Sequence, residues 1–174
     1  MSKDDENTLA HTYVFPAVTF YVAALEAYFQ ELMALSLKMA VNLPPEKENR
    51  LLELKNGRMK FSVWLKKVFT FYHTDGFGKN STEYQNALAV KRLRDSVIHY
   101  NPEFINYIEW PQALQNAVSG SKLEIMNSGW TTNFSQPAVA DWAHDAIKAI
   151  VILFCNKTGA ENPFEMTPEW IRWE

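Results

Sequence analysis

The densest cluster of chemically active side chains lies in residues 92–100, which read RLRDSVIHY. Asp95 and His99 stand four positions apart, so on a helix the carboxylate could hydrogen-bond one ring nitrogen and fix the tautomer of the imidazole. The partial negative charge at the C-terminal end of a helix also favours a protonated imidazole. A histidine placed in this way can exchange protons near neutral pH.

Two arginines in the same segment extend this chemistry. Arg92 and Arg94 add fixed positive charge and forked hydrogen-bond donors, which suit a phosphate group. With His99 they make up the parts of a site that cleaves a phosphodiester without a metal ion. The same pattern also has a structural interpretation, because a histidine at a helix end often only caps the last carbonyl groups. The segment alone leaves catalysis and capping both open.

A helical wheel at 100° per residue divides the segment into a core stripe and two flanks. The stripe passes through Leu93, and the residues within about 60° of it on the wheel are Ala89, Val90, Val97 and Tyr100. One polar flank carries Arg92, Asp95, Ser96 and His99. Arg94 falls on the other flank, near Ile98. We therefore expect Arg94 and His99 on different sides of one helix.

No metal or cofactor site is predicted. The four histidines lie far apart and form no His-x3-His pair, and the six glycines never take the spacing of a phosphate-binding or dinucleotide-binding loop. Cys155 is the single cysteine of the chain, so no internal disulfide can form. Because it lies in an apolar run, we expect it in the core.

Charge and hydropathy limit which partners and which compartment are expected for the chain. A formal net charge of -3 argues against a protein that coats nucleic acid or anionic lipid through bulk charge, so any contact with RNA must be local. The polar, acidic N-terminus does not resemble a signal peptide, and the longest apolar runs are shorter than the roughly 20 residues that cross a bilayer. A cytoplasmic protein without a membrane partner is expected.

The first half of the chain predicts two helical regions within one domain that spans residues 1–174. Pro16 suits a first helical turn, so the first helix is expected to run to about Val41, with residues 1–12 as a flexible N-terminus. A second periodic region ends at Tyr72 and is either continuous or broken at Gly57.

The second half predicts two further long helices. Ser81 can cap a helix from Thr82 to His99 or Tyr100, because the residue before Pro102 is disfavoured in a helix. Pro137 starts a last long helix that ends near Gly159.

Three further segments lie between these two helices and after the last one. Residues 102–117 predict a short helix interrupted at Pro111. Residues 118–136 predict irregular structure with one short strand at 123–126, and residues 160–174 a tail that packs on the bundle. The expected fold class is all-α, a bundle of four to five main helices with an irregular connection before the last one.

Two segments resemble HEPN (higher eukaryotes and prokaryotes nucleotide-binding) domains, an all-helical family that includes many toxin and antiviral ribonucleases. The family hallmark is an arginine followed, after four to six residues, by a histidine near a helix end, often with Asn, Asp or His just after the arginine. Arg94 and His99 fit it with Asp95 between them, and Arg92 fits at the longer spacing. Residues 23–32 (AALEAYFQEL) resemble the first helix of several subfamilies, with Glu26 as its acidic residue.

The resemblance implies a ribonuclease mechanism and a homodimer. The 2′-hydroxyl of RNA would attack the adjacent phosphate, His99 would move protons, and Arg94 would stabilise the charged transition state. Dimerisation could bring Arg94 of one chain to His99 of the other. Supporting roles would fall to Glu26, Arg92, Asp95, Ser96 and Tyr100, and contacts with RNA to Lys91 and Arg92.

Toxin-type members are often controlled by a partner, so an antitoxin is a possible partner of this chain. In the HEPN toxins whose partner is a nucleotidyltransferase, a tyrosine stands two residues after the histidine. Here Tyr100 follows His99 directly and Asn101 takes that place, so modification of such a tyrosine is not expected. The alternative function is a non-catalytic HEPN module that binds a nucleotide, RNA or a partner protein. A third interpretation makes His99 a capping residue in a dimer interface.

Overall fold

The computed structural model describes residues 3–39, 43–77, 81–99, 134 and 136–165, with side chains from residue 12 onward. Within these ranges the chain forms five helices and no strand. The helices are α1 (Lys3–Met39), α2 (Pro45–Asn56), α3 (Phe61–Tyr72), α4 (Thr82–Ile98) and α5 (Pro137–Thr158). The predicted all-α class is confirmed.

Helix α1 is the central element, because apolar side chains recur along one of its faces at helical spacing. The buried residues of that face are Val14, Val18, Val22, Leu25, Phe29 and Met33. Phe29 meets the rings of Trp64, Phe69 and Phe154 at centroid distances of 5.9, 5.9 and 5.0 Å, all in edge-on geometry. These edge-on contacts join α1, α3 and α5 in one core.

Ring and hydrogen-bond contacts give the directions of the helices. Tyr21 meets His144 and Tyr28 meets Phe154, so α1 and α5 run in the same direction. Phe29 meets Trp64, and Ser36 bonds the hydroxyl of Tyr72 further along both helices, so α3 also runs with α1. Helix α4 runs antiparallel to α3. Lys91, late in α4, lies over the ring of Phe61 at the start of α3, and Lys66 of α3 lies over the ring of Tyr84 near the start of α4.

The prediction that the first helix starts at Pro16 is wrong. Helix α1 begins at Lys3 and contains Pro16, so residues 3–12, expected as a flexible N-terminus, are helical. A proline inside a helix removes one backbone hydrogen bond. Val14 and Val18 on either side are both buried, and we attribute the continuous helix to this packing, which outweighs the local preference.

The segment Thr12–Met39 of α1 is long and apolar enough to cross a membrane, judged by length and composition alone. The longest apolar runs of the sequence had predicted no such segment. Core helices of soluble proteins pass the same test, so this finding decides nothing about a membrane.

The second helical region is broken at Gly57, which settles the alternative that the sequence left open. The N–H of Gly57 donates to the carbonyl of Glu53 at 2.7 Å and ends α2. A Cβ atom on Gly57 would collide with that same carbonyl. The indole of Trp64 donates to the carbonyl of Leu54 at 3.0 Å and ties α3 back to the end of α2.

Helices α4 and α5 start at the predicted residues, and α4 ends at Ile98, one residue before the predicted end, while α5 ends at Thr158, next to the predicted Gly159. The hydroxyl of Ser81 accepts from the N–H of Tyr84 at 3.2 Å and caps α4, and His99 follows its last residue. Helix α5 starts at Pro137 and ends at Gly159, which has a φ of 72°. The predictions for residues 102–117, for the strand at 123–126 and for residues 166–174 fall outside the described residues.

Candidate functional site

The core stripe of α4 fixes how its polar residues are oriented. Ala89, Val90 and Leu93 are buried, as the helical wheel predicts, while Arg92 and His99 are exposed. Because the buried stripe packs on α1 and α5, the side chains on the two flanks must point into the spaces on either side.

Arg94 turns towards α1 and meets Glu26. Its Nη2 lies 3.4 Å from Glu26 Oε1, and its Nη1 lies 3.2 Å from Asp95 Oδ1. Among the residues that the structure describes, the buried Nε of Arg94 has no hydrogen-bond partner. The side chain is 20% exposed, so the guanidinium is largely enclosed and only loosely bound. Nη1 and Nη2 each carry two N–H donors, so the guanidinium has further donors for an acceptor besides these two carboxylates.

The predicted contact between Asp95 and His99 is not formed. Asp95 instead accepts from Lys91, with Nζ 2.6 Å from Oδ1, and from Arg94. Lys91 stands four residues before Asp95 and His99 four residues after it, so both were within reach. The lysine carries a full charge at neutral pH, and Arg94 supplies a second one, so the carboxylate pairs with these two cations.

His99 caps the end of α4 with its backbone and leaves its side chain in solvent. Its N–H donates to the carbonyl of Asp95 at 2.9 Å, and its φ and ψ of -109° and 53° end the helix. Any residue with a backbone N–H can make this bond, so it tests neither the capping nor the catalytic interpretation of His99. The imidazole is exposed and remains accessible to a ligand or to a second chain.

A first cleft lies between α1, α4 and the connection from α2 to α3. We call it the Glu26 cleft, and its volume is about 420 Å³. Its polar side chains are Glu26, Gln30, Lys91 and Arg94. Its apolar wall is formed by Met59, Phe61 and Trp64. This combination of flat apolar wall and few polar groups is typical of pockets for small organic ligands.

A second cleft of about 360 Å³ lies between the start of α3 and α4, and we call it the Arg92 groove. Its charged side chains are Lys60, Lys91, Arg92 and Asp95. Three cations against one carboxylate make this groove locally basic, although the whole chain carries a net charge of -3. The groove therefore offers the local basic surface that the overall composition does not.

Lys91 and Phe61 belong to both clefts and separate them. The Nζ of Lys91 lies 5.7 Å from the centroid of the Phe61 ring, within the range of a cation–π contact. The two clefts are thus neighbouring halves of one surface.

The predicted site residues are distributed over this surface. Glu26, Lys91 and Arg94 line the Glu26 cleft, and Arg92 and Asp95 line the Arg92 groove. His99 lines neither cleft, Ser96 is half-buried, and Tyr100 falls outside the described residues. One chain therefore does not place Arg94 and His99 in a common cleft.

Sequence reasoning missed the walls of the clefts. Phe61 belongs to the second periodic region, which predicted only a helix, and the structure leaves it half-buried between the clefts. Gln30 lies within residues 23–32, where only Glu26 was predicted as a site residue. The sequence carried no signal that these residues would meet α4, because the contacts are long-range.

Other reactive groups lie away from the clefts. Among the described residues, no group of three His, Cys, Asp or Glu side chains is placed to hold a metal ion. Cys155 is buried, and its Sγ lies 3.5 Å from the hydroxyl of Tyr28. Burial, together with the contact with Cys155, raises the pKa of Tyr28.

Comparison of the chain with protein-family models, with curated proteins and with solved structures finds no match.

Proposed function

We propose that the chain is a HEPN-type, metal-independent endoribonuclease of the toxin or defence kind, acting in the cytoplasm. One observation carries the proposal: Arg94 lines an open cleft and the imidazole of His99 is exposed at the end of the same helix. Neither side chain is part of the buried core. The contact between Arg94 and Glu26 adds support, because it joins the two segments that resemble HEPN domains.

The chemistry assigns one task to each residue. His99 accepts the proton of the RNA 2′-hydroxyl as that oxygen attacks the adjacent phosphorus, and the protonated imidazole then gives this proton to the 5′-oxygen as the bond between phosphorus and that oxygen breaks. Arg94 donates hydrogen bonds to the phosphate oxygens as negative charge grows on them. The products are a 2′,3′-cyclic phosphate and a 5′-hydroxyl end.

The active unit is a homodimer. Within one chain, Arg94 lies in the Glu26 cleft and His99 lies outside it, so a second copy must bring His99 to the Arg94 of its partner. Each dimer then contains two composite sites related by twofold symmetry. An enzyme of this kind also requires control in its own cell, so we include an antitoxin among its partners.

The first test measures cleavage of RNA in the presence of EDTA. The wild-type chain should cleave. His99→Ala should lose at least about 100-fold in rate because it removes general acid–base catalysis, and Arg94→Ala should lose at least about 100-fold because it removes donors to the charge that grows in the transition state. His144→Ala is the matched control, since His144 is also an exposed helical histidine. Loss of cleavage with EDTA, or an active His99→Ala variant, contradicts the mechanism.

A second test addresses the composite site. Mixing the inactive Arg94→Ala and His99→Ala variants and allowing subunit exchange should restore about a quarter of the wild-type activity, because half of the dimers are mixed and each has one intact site. No recovery after verified exchange contradicts a site shared between two chains.

A second candidate function is a non-catalytic module that binds RNA or a nucleotide. It is favoured by the engagement of Arg94 with Glu26 and Asp95, which a binding site tolerates better than a catalytic one. Measurable RNA binding that leaves the RNA intact in all conditions supports this alternative.

A further inference from the structure

The Glu26 cleft and the Arg92 groove differ in character. The first combines an apolar wall with a carboxylate, an amide and the two cations Lys91 and Arg94, and the second has no amide and is lined by three cations and one carboxylate. They meet at Lys91 and Phe61. A ligand that spans both must therefore have a flat, hydrogen-bonding part and an anionic part.

We infer that the two clefts together hold a guanine nucleotide of RNA, with the base in the Glu26 cleft and its phosphate in the Arg92 groove. This inference rests on the proposed function, because it takes the ligand to be part of an RNA chain. It assigns Glu26 and Gln30 to base selection.

The Glu26 cleft has the size and walls that a base needs. Its volume of about 420 Å³ lies within the usual range for pockets of small organic ligands. Met59 and Phe61 offer an apolar surface to the flat faces of the base, and unpaired bases in RNA–protein complexes commonly lie against such side chains.

Glu26 selects guanine among the four bases. Its carboxylate offers only acceptors, and the Watson–Crick edge of guanine presents two adjacent donors, the N1–H and the N2 amino group. Adenine has an acceptor at N1, and cytosine and uracil lack this pair of donors. The amide of Gln30, in the same cleft, can donate to the O6 atom of guanine.

Binding of guanine also changes the state of Arg94. The bond from Arg94 Nη2 to Glu26 Oε1 is long, at 3.4 Å, and Glu26 is 39% exposed, so a ligand can reach the carboxylate and replace this bond. Once guanine binds the carboxylate of Glu26, the ion pair with Asp95 is the contact of the guanidinium that remains among the described residues. Base recognition thereby frees donors of Arg94 for a phosphate.

The test uses the intact His99→Ala chain, so that bound RNA is not cleaved. Calorimetry compares guanosine 3′-monophosphate with the adenosine, cytidine and uridine forms, and then a short RNA with a single guanine against the same RNA with adenine. We expect guanine to bind at least about tenfold more tightly in both formats, the range of a good two-bond contact with a base edge. Equal binding of the four nucleotides, no binding, or a preference lost in RNA overturns the inference.

Two variants separate the halves of the site. Glu26→Gln should reduce the guanine preference about tenfold without weakening adenine binding, whereas Glu31→Gln, also on α1 but in neither cleft, should leave it unchanged. Lys60→Ala should weaken all four nucleotides equally and leave guanosine without phosphate unaffected. A Glu26→Gln variant with the wild-type preference overturns the assignment of the base.

The outcomes also separate this inference from the proposed function. Guanine preference without cleavage by the wild-type chain refutes the ribonuclease and leaves the binding site standing. Cleavage that ignores the base, with no preference in binding, refutes the binding site and leaves the ribonuclease standing.

Discussion

The carboxylate of Glu26 on α1 lies 3.4 Å from the guanidinium of Arg94 on α4, although the two residues stand 68 positions apart in the chain. The pair lies in the wall of an open cleft, and Glu26 is half-exposed. This position is typical of a contact that a ligand can displace, and not of a contact that holds two helices together.

The stability of the Glu26–Arg94 pair follows from this exposure. In a double-mutant cycle of Glu26→Ala and Arg94→Ala, we expect a coupling free energy below about 1 kcal/mol, because Glu26 is 39% exposed and solvent there screens the pair. Urea unfolding followed by circular dichroism measures it. A coupling of about 3 kcal/mol or more would instead indicate an ion pair that the fold requires.

Two phenylalanines of α1 provide a matched test of the core. Phe29 is fully buried among four aromatic rings, whereas Phe20 is 71% exposed. Phe29→Ala should lower the free energy of unfolding by about 3–5 kcal/mol, because it removes apolar contacts and leaves a cavity. Phe20→Ala should change it by less than about 0.5 kcal/mol. Similar losses for both variants in urea unfolding would show that Phe20 is covered in solution.

The N-terminal cap of α4 should depend on pH. Ser81 accepts from the N–H of Tyr84 and donates to the carboxylate of Glu83, which lowers the pKa of Glu83. Ser81→Ala should cost about 1 kcal/mol near neutral pH. A lowered carboxyl pKa stabilises the fold above its ordinary value of 4.5 and ceases to do so as the pH falls through the folded value. The cost of Ser81→Ala in urea unfolding should therefore be smaller in acid, and an equal cost at both pH values would contradict the contact with Glu83.

Three partly buried tyrosines should weaken the fold in alkali. Burial raises the pKa values of Tyr28, Tyr72 and Tyr84 above 10.0. The unfolded chain then loses its tyrosine protons at lower pH than the folded chain, so the stability is complete below pH 10.0 and falls as the pH rises further. Urea unfolding at increasing pH measures the slope, and Tyr28→Phe should make it shallower. An unchanged slope would mean that Tyr28 ionises equally easily in both states.

Helix boundaries were predictable where a local signal determines them. Ser81 and Gly159 act through their own hydrogen bonds and backbone angles, and both mark helix ends in the structure. Pro16 carries an equally strong local signal, yet α1 passes through it because Val14 and Val18 are buried against the rest of the bundle. Local chemistry alone cannot show when such packing outweighs it.

The orientation of the candidate site residues on α4 was predictable, and their contacts were less so. The helical wheel placed Arg94 away from the His99 flank, and in the structure Arg94 faces Glu26 while His99 stays in solvent. The partner of Asp95 was not predictable, since Lys91 and His99 have the same spacing from it and only the three-dimensional arrangement adds Arg94. The cleft walls come from α1 and α3, and no local pattern reports such long-range contacts.

The single cysteine offers a practical route to the arrangement of two copies. Cys155 is only 4% exposed, so a thiol-specific reagent should leave the folded native chain almost unlabelled. A cysteine introduced by Ile98→Cys, at an exposed position beside His99, then becomes the one reactive thiol without any need to remove the native one. Spin labels at that position in two associated copies would report the separation of their α4 ends as a distance distribution in solution.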